Sequence, residues 1–171
     1  MRLAQLVTAA IFAVSATASQ AAVYDWGTHG KTQVGSLSVS AGDFSDLYRF
    51  TLGKTSSLGG SAVSVENKFG NIDILKITNG SFALYKGSDE AHSQLVKTFS
   101  FDGTTANISH VFSNLDAGSY FYKISGKGAG LAGGVYTFTS SLTPAVPEPE
   151  TYALMGLGLT GLLLARRKRA R

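Results

Sequence analysis

The sequence predicts an all-β protein: an antiparallel two-sheet β-sandwich, jelly-roll-like, flanked by an N-terminal signal peptide and a C-terminal transmembrane helix. Three observations predict it. Between residues 22 and 144, Gly, Ser and Thr punctuate short runs of β-branched and aromatic residues, and Pro is nearly absent. Several of those runs alternate with a period of two, and none outside the two ends holds a helical period. Each end is an apolar segment with the flanking residues of a sorting signal. The bounds follow as signal peptide 1–21, sandwich 22–144 and sorting segment 145–171.

At the front, Arg2 supplies the positive charge, residues 6–14 the apolar stretch, and residues 15–21 a run rich in small side chains. Ser19 and Ala21 satisfy the small-residue rule at a cleavage site, so the expected cut follows Ala21, with Ala18 as the alternative. This implicates signal peptidase and the general secretion machinery as partners.

Candidate strands are 34–40, 47–52, 62–66, 72–78, 81–86, 95–101, 106–112, 119–125 and 134–141. Tyr48, Phe50 and Leu52 share one face of the second, opposite Arg49 and Thr51. Tyr120, Tyr122 and Ile124 share a face of the eighth, and Tyr136 and Phe138 a face of the last. Asn79-Gly80 reads as a two-residue hairpin turn. Asp102-Gly103 and Asp116-Ala117-Gly118 read as further turns. Two packed sheets are the way to bury such faces.

The last 26 residues fall into three blocks: 146–150 with Pro147, Glu148 and Pro149; an uncharged apolar run 152–165; and a basic cluster 166–171 containing Arg166, Arg167, Lys168 and Arg169. As a helix, the apolar run reaches about 21 Å, shorter than the roughly 30 Å hydrocarbon core. Local thinning and snorkelling arginines close that gap. The basic cluster marks the end that stays cytoplasmic, stopping transfer. A buried core helix would alternate apolar and polar residues, and this run does not.

The formal net charge of +4 resides in the two ends. The sandwich segment carries nine Lys and Arg against nine Asp and Glu, with no basic stripe for phosphates, so nucleic acid is not an expected partner. The chain has no Cys, so an exported domain of this kind rests on its core alone.

Candidate chemistry is sparse. Asp46 reads as a turn-capping carboxylate, with calcium ligation alongside Asp43 as the sharper alternative. His29, His92 and His110 lack metal-ligand spacing and read as solvated or edge-strand residues; no metal or cofactor is expected. Gly53-Lys54-Thr55 reads as a strand-end turn, and Gly126 to Gly130 as a flexible loop. Asp89-Glu90 are adjacent loop carboxylates expected to diverge. Tyr24 and Trp26, or Tyr120, Phe121 and Tyr122, could form a sugar-stacking platform, against which core packing is the plainer reading. No residue pattern points to catalysis.

The tail from Val146-Pro147-Glu148-Pro149-Glu150 through its Arg-Arg-Lys-Arg end resembles the PEP-CTERM sorting domain of Gram-negative bacteria. The resemblance implies an exosortase as partner, cutting near Pro147-Glu148-Pro149 after transient anchoring in the inner membrane. It also implies a final place at the cell surface or outside, with exopolysaccharide and biofilm as the setting. Phe44 to Leu52 and Leu115 to Gly126 resemble the FxDxF family of small PEP-CTERM proteins, with Tyr48 in place of the last Phe. The same segments resemble the pre-peptidase C-terminal type of sandwich, which implies the alternative of a carbohydrate-binding module. Neither resemblance brings a catalytic residue.

Overall fold

A computed structural model describes residues 21–145 and Leu157. Eleven strands run in chain order: β1 Val23–Thr28, β2 Thr32–Val39, β3 Gly42–Leu52, β4 Ser56–Val65, β5 Asn67–Phe69, β6 Ile72–Leu75, β7 Ile77–Lys86, β8 Gln94–Phe101, β9 His110–Leu115, β10 Gly118–Gly128 and β11 Gly134–Pro144. One sheet has the order β1-β3-β10-β7-β8, the other β2-β11-β4-β9, and β5 and β6 form a separate hairpin.

Without β1 and that hairpin, eight strands remain. Numbered along the chain, they lie as 1-8-3-6 in one sheet and 2-7-4-5 in the other. First pairs with last and second with seventh, the nested arrangement of a jelly roll. The predicted sandwich is therefore present, and its topology is the jelly roll.

β1 departs from the sequence expectation twice. It was not among the candidate strands, and it pairs parallel to β3, Val23 opposite Leu47 and Tyr24 opposite Tyr48. The remaining pairs within both main sheets are antiparallel. Asn79-Gly80 is also corrected. Both lie inside β7, where they face Gly126 of β10 as a bulge between Ser81↔Ser125 and Thr78↔Lys127. Asn79 takes φ 54°, a conformation that Asn tolerates as well in a bulge as in a turn. The 126–130 segment is not a loose loop: Gly126 and Gly128 belong to β10, and Gly130 bridges Gly133.

The core lies between the sheets. Phe44, Tyr48, Phe50 and Leu52 enter from β3, Tyr120, Tyr122 and Ile124 from β10, Phe82 and Leu84 from β7, and Tyr136 and Phe138 from β11. Burying each such side chain contributes roughly 1.5–3 kcal/mol. The facing positions of β4 are small (Ser56, Gly60, Ala62 and Ser64, with Leu58 among them), which leaves room for the aromatic rings opposite. One contact sets a strict limit. A Cβ on Gly35 of β2 would stand 2.6 Å from the ring of Tyr48, so only glycine lets this ring lie there.

Among the described residues, no helix is long and apolar enough to cross a membrane. The expected signal peptide before Ala21, the sorting motif 146–150, the basic cluster 166–171 and the apolar run 152–165, apart from Leu157, lie outside those residues.

Candidate functional site

Two polar chains cross the apolar space between the sheets. The first begins at Asp46. Its residue parity on β3 is that of Phe44 and Tyr48, so it points inward and is 3% exposed. The Tyr136 hydroxyl donates to Asp46 Oδ2 at 2.8 Å, and the Ala22 amide donates to Oδ1 at 3.0 Å. Tyr136 spends its proton on Asp46, so at 3.0 Å the Tyr48 hydroxyl donates to Tyr136. Burial pushes the Tyr48 hydroxyl up to about 12 and raises that of Tyr136 as well.

The turn-capping reading of Asp46 is thus corrected: it is an interior strand residue that binds a backbone amide from β1's lead-in. Asp43 is exposed on the opposite face of β3, so the two carboxylates are not brought together. Among the described residues, no group of three or more His, Asp or Glu converges as a metal site.

The second chain involves His29, which is buried and not solvated as expected from the sequence. Its Nδ1 lies 2.6 Å from the Gly30 carbonyl oxygen, which only accepts, so Nδ1 carries the proton. Burial lowers the histidine's proton affinity, and neutral Nε2 then accepts from Ser140 Oγ at 2.9 Å. Ser140 in turn accepts from the Tyr122 hydroxyl at 2.9 Å. A Ser–His contact at this distance has nucleophile–base geometry. Here Ser140 is 0% exposed and the outer imidazole nitrogen meets a carbonyl, not a carboxylate. The chain therefore binds the two sheets together and gives substrate no approach to the hydroxyl.

Trp26 lies between the two chains. Its ring is 4.8 Å from that of Tyr48, 6.3 Å from and nearly parallel to Phe138, and 6.1 Å from His29. Tyr24 stacks on Tyr48 at 5.0 Å. Both β1 rings are half-buried against the core. Tyr120 and Tyr122 pack in the core, and Phe121, on the other face of β10, stacks on Tyr85 at 5.0 Å; each is at most 2% exposed, so they form no open platform.

The remaining candidates separate. His92 is exposed and paired with Asp89, whereas His110 on β9 stacks on Phe99 with centroids 3.8 Å apart. Asp89 turns to His92 and Ser88 while Glu90 reaches Lys123 at 2.6 Å, so these neighbours diverge as expected. Arg49 lines an open cleft of about 320 Å³ with Asp25, Thr51, Ser88, Phe50 and Tyr120.

The architecture is that of a jelly-roll sandwich whose interior polar groups serve the fold, followed directly by a tail of a different kind. β11 ends at Pro144, and Ala145 donates to the Thr55 carbonyl at 3.1 Å. Residues 145–169 match the family described as the PEP-CTERM protein-sorting motif, so the chain carries that motif directly after its last strand. No curated protein matches the chain. Among solved structures, it is similar to the pre-peptidase C-terminal domain of a collagenase from Bacillus anthracis, at 19% identity and TM-score 0.42, covering 71% of this chain and 94% of that one. It is also similar to PliG of Aeromonas hydrophila, a periplasmic inhibitor of g-type lysozyme, at 11% identity and TM-score 0.45, covering 74% and 100%.

Proposed function

We propose that this is an exported, non-catalytic surface or matrix protein, delivered by an exosortase in a Gram-negative cell. Signal peptidase removes residues 1–21. The apolar 152–165 segment then holds the chain in the inner membrane, with Arg166, Arg167, Lys168 and Arg169 retained on the cytoplasmic side. Exosortase cuts near Pro147, Glu148 and Pro149, and the sandwich passes to the surface as a structural or adhesive component beside exopolysaccharide.

The observation that carries this reading is the junction at Pro144–Ala145. The last strand closes at Pro144, and the matched motif starts at residue 145. A protease can thus remove the tail without dismantling a strand of the sandwich. The sandwich segment has no charge excess, which favours a role in a hydrated matrix over capture of a polyanion.

Replacing Pro147-Glu148-Pro149 with three alanines tests the reading in cells that carry the exosortase. The full-length membrane-held form should accumulate on an immunoblot. Processing at the wild-type rate would contradict it.

A further inference from the structure

Asp46 joins a polar chain that links the sheets, yet it is buried with no charged partner. A buried carboxylate is costly unless it gains a counter-ion. None of the ion pairs among the described residues involves Asp46. Its oxygens instead receive one tyrosine hydroxyl and one backbone amide, and that amide belongs to Ala22.

Ala22 is fixed at both ends of its backbone unit. Its nitrogen donates to Asp46, and its carbonyl accepts from the Leu47 amide at 2.8 Å. Ala21 before it is exposed. Both line a cleft of about 240 Å³ with Tyr24, Leu37 and Asp46, so the carboxylate's opening to solvent lies where the leader departs. Ala22 is also the residue that follows the expected signal-peptidase cut.

We infer that cleavage of the Ala21–Ala22 bond supplies the missing counter-ion: the freed α-amino group of Ala22 forms a partly buried ion pair with Asp46. In that hydrolysis the C–N bond breaks. Water gives its hydroxyl to the Ala21 carbonyl carbon and a proton to the Ala22 nitrogen. The new amine, with an ordinary pKa near 7.7–8.0, takes up a further proton at neutral pH. An amide that made one hydrogen bond becomes an ammonium in the same position, and charge-assisted hydrogen bonds are about twice as strong as neutral ones. The sandwich therefore gains its full stability only when the leader has been removed. This rests on the signal-peptide reading above.

Two chains purified in detergent test it: one running from Ala22 to Arg171, released from a fusion with a free amino group, and one retaining Gln20-Ala21 ahead of it. The Ala22 start should melt at least about 4 °C higher at pH 7. Asp46→Asn in both chains should erase that difference. If the Asn variants fail to fold, pH serves instead. An ammonium paired with a carboxylate holds its proton more tightly folded than unfolded. The advantage is therefore present below about pH 8 and fades as pH rises through the folded-state value. The other titratable groups facing the pair are Tyr24, Tyr48 and Tyr136. Equal melting temperatures at pH 7, an unchanged difference at pH 10.5, or a difference that survives Asp46→Asn would overturn the ion pair. Mass spectrometry of the exported protein separates the two readings. A chain starting at Ala22 supports both, one starting at Ser19 overturns the processing-made pair, and one keeping Met1 overturns the leader reading itself.

Discussion

The hydroxyls of Tyr48 and Tyr136 meet 3.0 Å apart between the two sheets, one from β3 and the other from β11. Together with Asp46 they form a polar crossing through the aromatic and aliphatic interior. A second crossing runs from Tyr122 through Ser140 to His29. Fully satisfied polar chains of this kind specify one packing of the sheets, because a slipped strand would leave each member without its partner.

Alkaline titration should show both crossings directly. Burial raises Tyr48 to about 12 and moves Tyr122 and Tyr136 in the same direction. A tyrosine held neutral by the fold contributes stability that is complete below its unfolded pKa near 10 and is lost as pH rises through the folded value. Absorbance at 295 nm should therefore show these three ionising only as the protein unfolds. Smooth ionisation of every tyrosine near pH 10 in folded protein would refute their burial.

Ser140→Ala leaves the Tyr122 hydroxyl and His29 Nε2 unpaired inside the core. The expected cost is about 1–3 kcal/mol by chemical denaturation. Adding Tyr122→Phe should cost less than in the wild-type background, because the orphaned hydroxyl is removed with it.

His29 gives the acid side of the stability curve. Its folded pKa is depressed by burial, so its contribution is present above the unfolded value near 6.5. It is lost as pH falls through the folded value. His29→Gln should therefore flatten the decline in melting temperature below pH 6.5 relative to wild type, as measured by calorimetry.

Gly35→Ala should destabilise by roughly 1–3 kcal/mol, because the new methyl would overlap the Tyr48 ring. Gly53→Ala, at a position with open space around it, serves as the control and should stay within about 0.5 kcal/mol.

The strands were largely legible where inward aromatics alternate, as in 47–52, 119–125 and 134–141. Their pairing was not, since a jelly roll joins residues far apart in sequence and periodicity carries no partner information. β1 carries little signal because it is six residues long and adjoins the expected leader, and its parallel partner lies twenty-odd residues on. Asn79-Gly80 signals a left-handed backbone, which a bulge needs as much as a hairpin does. Asp46 was legible in principle. Extending the parity of Tyr48, Phe50 and Leu52 backward by two residues places it inside, and its carboxylate then demands a partner. His29 gave no such signal, because its burial depends on Trp26 and Phe50 packing around it.

The tail was readable without any fold. Its blocks are defined by composition and order, and residues 145–169 match the sorting motif as read. What the structure adds is the boundary: the strands end at Pro144, next to that motif.

The central claim is that this chain is trimmed at both ends to leave its sandwich. Intact-mass measurement of the protein recovered from the surface or medium of exosortase-bearing cells tests it most directly. The predicted species begins at Ala22 and ends near Pro147-Glu148-Pro149. A mass corresponding to residues 1–171, or to a chain that keeps Arg166–Arg171, would contradict it.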